Sequence, residues 1–118
     1  MGPPSVTGSL PAGVLSLAFS AAPNAIQNGA PDGIALITPA NQGVVDAISY
    51  EGAITAAQFT GFASVVSLVE GSPISATTAD SNAVPASFCR LPNGSDTDVS
   101  AVDWDLSNAP TPGAANIP

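Results

Sequence analysis

The sequence contains no histidine and no lysine, a single arginine, Arg90, and a single cysteine, Cys89. Each absence removes a class of chemistry. With neither His nor Lys, no side chain titrates near neutrality to activate a Ser or Cys nucleophile, so a Ser-His-Asp or Cys-His site cannot be assembled. Zinc is disfavoured on the same ground, because one Cys and no His cannot furnish tetrahedral N/S ligands. Cys89 has no partner for an internal disulfide, so cysteine pairing says nothing of the redox compartment, and the residue reads as a buried, inert thiol. Nine acidic residues against one basic residue give a formal net charge of −8. That balance repels phosphate backbones and anionic membranes and argues against nucleic-acid binding through this domain. Aromatics are scarce too, with four Phe, one Tyr and one Trp. A cleft of paired carboxylates that grips substrate with aromatic or basic side chains therefore has few parts to draw on.

What is abundant is punctuation. Twelve prolines and 11 glycines among 118 residues interrupt almost every segment, which favours short strands over long helices, while an apolar fraction of 45% suits one folded domain rather than a disordered chain. The run GVLSLAFSAA, residues 13–22, has the length of a signal-peptide core, with Ser20, Ala21 and Ala22 as small residues near a cleavage point. It lacks a basic flank and is too short to span a membrane, so its residues 14–19 read as an internal strand.

After the turn formers of residues 28–33, GIALIT at 33–38 reads as a strand apolar on both faces, with Ile34 and Leu36 on one side and Ala35 and Ile37 on the other. Residues 39–43 turn the chain. VVDAISYE at 44–51 returns as the second arm of a hairpin, placing Val44, Asp46, Ile48 and Tyr50 on one face and Val45, Ala47, Ser49 and Glu51 on the other. ASVVSLVE, 63–70, is rich in β-branched Val and reads as a further strand, with helix limited to a turn or two near 54–62. Residues 71–85 have the composition of an exposed, mobile loop. Asn93-Gly94 is a type I′ turn signal, and a last strand is expected near residues 101–106. The Pro-rich end, residues 108–118, is expected to leave the domain as an extended segment.

Two groups carry the candidate chemistry. Asp46 is a carboxylate at the centre of a strand and needs donors from loop amides or from Arg90, which makes it a hydrogen-bond anchor. Tyr50 beside Glu51 reads as a half-buried packing residue with its hydroxyl toward water. The second group is Asp96, Asp98, Asp103 and Asp105 in GSDTDVSAVDWD, a density of carboxylates suited to Ca²⁺ but not spaced as an EF-hand. The plainer reading has Asp96 and Asp98 capping a turn, with Asp103 and Asp105 pointing outward around an inward, buried Trp104. Asn93-Gly94-Ser95 also fits the glycan acceptor pattern, though it is more simply the turn.

The combination of GIALIT, VVDAISYEG, SFCRLPNGSDTDVSAVDWDLS and PTPGAANIP resembles bacterial lamin tail domains. The matching elements are Asp32-Gly33 opening a strand, the hairpin arm 44–52, Arg90 with Asn93-Gly94, the acidic loop 96–98, and the closing residues 111–116. The resemblance runs from about Gly8 to Asn116 and lacks the family's two opening strands, so the chain corresponds to the later part of such a domain. It implies an all-β, immunoglobulin-like β-sandwich incomplete at its N-terminus, with an extension at 1–10, the sandwich at 11–108 and a Pro-rich tail or linker at 109–118. It further implies a secreted or cell-surface, non-catalytic accessory module that positions or attaches a neighbouring domain, such as an extracellular nuclease or phosphatase. No cofactor is implied. The missing strands would leave an unpaired edge open to self-association. The alternatives are a calcium-dependent adhesion or carbohydrate-binding module using the Asp96 to Asp105 loop and, third, a fragment of an acidic hydrolase.

Overall fold

The structure, a computed structural model, describes residue 12, residues 29–79, residue 83 and residues 85–118. The strand expected at 14–19, the extension at 1–10 and part of the loop at 71–85 lie outside those residues. What is described is an all-β arrangement of two small antiparallel sheets. The first pairs β1 (Asp32–Thr38) with β2 (Gly43–Tyr50), and the second pairs β3 (Ser87–Arg90) with β4 (Trp104–Ser107). One helical turn, α1 (Ser100–Asp103), leads into β4. Among the described residues no helix is long and apolar enough to cross a membrane.

The hairpin forms where the sequence places it. Its reversal is fastened by Asn41, whose side-chain oxygen accepts bonds from the Thr38 hydroxyl and from the Gly43 amide, the latter at 3.2 Å. Pairing runs from Asp32 opposite Tyr50 to Leu36 opposite Asp46. It then shifts so that Ile37 faces Val44, leaving Val45 as an unpaired bulge residue. One face of this sheet carries Ala47 and Ser49, both buried. It looks onto Ile54 and Leu68, whose methyl groups come so close to Gly33 that a side chain there would collide with them. The Ser49 hydroxyl fixes the exit from β2 by donating to the Gly52 carbonyl at 2.7 Å and accepting from the Ile54 amide at 2.9 Å.

The opposite face carries Asp46, Ile48 and Tyr50, and the second sheet lies against it. The Tyr50 and Phe88 rings approach to 5.3 Å between centroids, and Asp46 meets Arg90. This cover reaches β2 but not β1: Ile34 and Leu36 share the same face, yet are 46% and 63% exposed. The sequence expectation that GIALIT is covered on both sides is thus not met: Ala35 and Ile37 are half-buried, Gly33, Ile34 and Leu36 are exposed, and no residue of β1 is buried.

The stretch 63–70 is not a strand. It makes one isolated bridge, Val66 with Ala57, and two further backbone bonds, from the Leu68 amide to the Ile54 carbonyl and from the Ser100 amide to the Glu70 carbonyl. The reason is local: the Ser67 hydroxyl accepts from the Val69 amide and donates to the Val69 carbonyl, occupying both groups a ladder would use. The only described helical turn falls at 100–103 and not near 54–62. The chain end also differs from expectation. Residues 110–116 turn back instead of leaving the domain, because the Asn116 amide donates to Asn93 Oδ1 at 2.7 Å and its side-chain amide to the Arg90 carbonyl at 3.1 Å.

Candidate functional site

Two of the carboxylates singled out in the sequence, Asp46 and Asp96, gather around one guanidinium. Arg90 ends β3 with its side chain only 11% exposed, lying over the Trp104 ring at 5.0 Å. Its Nη2 donates to Asp46 Oδ1 at 2.7 Å, and its Nη1 donates to both the Ser95 carbonyl and Asp96 Oδ1 at 2.8 Å. The bulge at Val45 sits immediately before Asp46, the usual way in which a strand is bent to re-aim a side chain. Burial works against the charge of Arg90. The Asp96 and Asp46 carboxylates outweigh it and hold the group above its ordinary value. In return, the bond from Arg90 keeps the Asp96 carboxyl below the usual range.

Glu70 is the member of this cluster that the sequence did not reveal. Its pKa is raised, first by burial and then by the Asp46 charge, against the opposing bond from the Ala47 amide. Its Oε2 is buried without a hydrogen-bond partner among the described residues, and so is the indole N–H of Trp104. Glu70 is delivered here because its backbone pairs with the start of α1: its carbonyl accepts from the Ser100 amide at 2.8 Å and its amide donates to the Ser100 hydroxyl at 3.2 Å. The crossing is so close that a Cβ on Gly71, which has φ +56°, would lie 2.8 Å from the Asp98 carbonyl.

The acidic loop is organised by a carboxylate that turns inward. Asp103 is entirely buried. Its Oδ2 accepts from the Thr97 amide at 2.8 Å, the Thr97 hydroxyl at 3.1 Å and the Val99 amide at 3.3 Å, and its Oδ1 accepts from the Ser95 hydroxyl at 3.3 Å. Burial alone would raise its pKa, but these four bonds together hold it below the ordinary value. This corrects the expectation that Asp103 and Asp105 both point outward around a buried Trp104. The helical turn rotates Asp103 to the inside, where it has donors, whereas Trp104 begins β4 half-buried as the platform for Arg90.

The four aspartates of the calcium reading do not converge. Asp96 is turned to Arg90, Asp103 to its own loop, and the exposed Asp105 bonds the Leu106 amide at 2.7 Å. Asp98, at φ +56°, is exposed in the loop. No group of three or more His, Cys, Asp or Glu among the described residues is placed to hold a metal ion. Tyr50 packs on Phe88, half-buried, and Glu51 follows β2 in the left-handed region at φ +57°. The Asn93-Gly94 turn has only Gly94 at positive φ, +72°, closed by the Ser95 amide bonding the Pro92 carbonyl at 2.9 Å. That is the signature of a type II turn, not the type I′ the dipeptide suggests.

Comparison with protein-family models, with curated proteins and with solved structures finds no match.

Proposed function

We propose that this chain is a non-catalytic β-sandwich module of lamin-tail type, secreted or at the cell surface, that works by engaging another polypeptide. The lamin-tail assignment is supported by the motif combination in the sequence and accords with the all-β architecture. The chemistry of the candidate site points the same way: the Arg90 and Asp103 side chains are spent on internal bonds that hold loops and sheets together.

The observation that carries the interaction reading is β1. Its partner β2 occupies one side, and among the described residues no strand pairs with the other. On the same strand Ile34 and Leu36 are exposed beyond the cover of the second sheet. An edge strand with unpaired backbone groups and apolar side chains accepts an added strand from another chain, the backbone giving affinity and the alternate side chains giving specificity. Residues 33–38 carry no charge, so the net charge of the domain does not oppose pairing at the contact itself. Two copies of β1 crossing antiparallel about Ala35 would set Ile34 of each against Leu36 of the other.

Sedimentation velocity over a concentration series tests the reading. Association that strengthens with concentration and is lost in Leu36→Lys, with an unchanged far-ultraviolet circular dichroism spectrum, is the expected result. A chain that stays monomeric throughout, or associates equally well with Lys at position 36, contradicts it.

A further inference from the structure

We propose that Asn93-Gly94 is a site of spontaneous covalent modification, deamidation through a cyclic imide, and that the folded-back C-terminal tail sets its rate. Asn93 is exposed at the tip of its turn. The Gly94 amide makes no hydrogen bond among the described residues, and nothing lies within 4 Å of where a Gly94 side chain would be. The nitrogen that must attack is therefore unengaged.

The reaction balances with water alone. The Gly94 amide nitrogen attacks Asn93 Cγ, the Cγ–Nδ2 bond breaks, and ammonia leaves carrying the proton from Gly94, which closes a five-membered imide. Water then opens the imide at either carbonyl. One opening gives aspartate, and the other gives isoaspartate, in which the main chain runs through the former side chain and is longer by one methylene.

Two bonds resist the rotation that brings Cγ onto the Gly94 nitrogen. One is the turn bond from the Ser95 amide to the Pro92 carbonyl, 2.9 Å. The other comes from the tail, where the Asn116 amide holds Asn93 Oδ1 at 2.7 Å. The side chain that must swing is thus tethered to a residue far along the chain. The consequence runs in both directions. Isoaspartate moves the acceptor of Asn116, and the inserted methylene displaces Ser95 and Asp96, whose carbonyl and carboxylate hold Arg90. Modification loosens the tail and weakens the Arg90 cluster together.

The test incubates the full chain in mildly alkaline buffer and follows residues 93 and 94 by peptide mapping and by an isoaspartate-specific methylation assay. Three chains are compared: wild type, Gly94→Ala, and Asn116→Pro, which deletes the tail's donor N–H without shortening the chain. Expected are conversion at Asn93 in the wild type, several-fold slower conversion in Gly94→Ala, several-fold faster conversion in Asn116→Pro, and faster hydrogen exchange of the Asn116 amide in aged wild-type protein. An intact Asn93 in the wild-type chain, under conditions that convert a synthetic peptide of residues 91–96, overturns the proposal, a result that needs no variant to fold. Equal rates at Asn93 in wild type and Asn116→Pro overturn the role of the tail.

Discussion

The β1–β2 hairpin aligns seven residues against seven, with a tight turn and three apolar residues, Ile34, Leu36 and Val45, left in the open, whereas β3 and β4 align four against four across the long connection 91–103. The hairpin follows from local sequence: apolar strands, turn chemistry at 39–42, and a serine that pins the exit. The second sheet has too few apolar contacts and too short a ladder to define itself this way. It is specified by polar anchors, Asp103 inside the connecting loop and Arg90 between the sheets. In a chain poor in aromatics, charged groups with fully assigned bonds take the place that bulky side chains have elsewhere. The cost is sensitivity, because a buried group that loses its partner is far more damaging than one that never had it.

The largest expected effect follows from that asymmetry. Asp103→Ala removes the acceptor for the Thr97 and Val99 amides and two hydroxyls at once, and should abolish cooperative unfolding of the β3–β4 half in a thermal melt. Asp103→Asn, which keeps one acceptor oxygen but not the charge, should fall between that variant and the wild type. Because the folded-state pKa of Asp103 is depressed, as is that of Asp96, their contribution is present above the unfolded carboxylate value, about pH 4, and lost as pH falls through the still lower folded values. A melt series into acid should therefore show steep loss of stability below about pH 4 in the wild type and a flatter course in Asp103→Asn.

Next in size, Arg90→Ala leaves Asp46 without its cation and the Ser95 carbonyl without its donor, and uncovers Trp104. A loss of about 3 kcal/mol in urea unfolding is expected, the scale for bonds to a charged group and its packed stem. A loss below about 1 kcal/mol would place the sheets' cohesion elsewhere, in the Tyr50 and Phe88 contact.

The hairpin was legible because its signals are local. GIALIT and VVDAISYE alternate within a few residues and flank an evident turn, and the strands fall within a residue of where the pattern puts them. The second sheet was legible only in outline. A buried aspartate looks like a solvated one in sequence, and Asp103 is distinguishable only through Ser95 and Thr97, hydroxyl donors a few residues upstream whose approach depends on the turn at 100–103. Glu70 and Asn116 were missed for a different reason. Their partners, Ala47, Arg90 and Asn93, lie more than 20 residues away, and no short-range pattern encodes such meetings. Residues 63–70 failed as a strand because a serine side chain outbid the ladder, an effect that β-propensity does not register.

A smaller and opposite effect distinguishes Glu70 from the other anchors. Its pKa is raised, so ionisation opposes folding: the relative stability is full below the unfolded glutamate value, about pH 4, and declines as pH rises through the folded value. Glu70→Gln should accordingly raise the melting temperature modestly at neutral pH, with the gain vanishing below about pH 4. A destabilised Glu70→Gln at neutral pH would mean that the charge itself is needed beside Arg90.

The contrast between a hairpin edge that no described strand pairs with and a second sheet locked by polar bonds is tested most directly by native-state hydrogen exchange, residue by residue, at two protein concentrations. The account predicts that the Thr97 and Val99 amides exchange only through global unfolding at both concentrations, while the outward amides of β1 exchange fast in dilute solution and gain protection as concentration rises. Outward β1 amides that are equally protected at both concentrations, or Thr97 and Val99 amides that exchange as freely as an exposed loop, would contradict it.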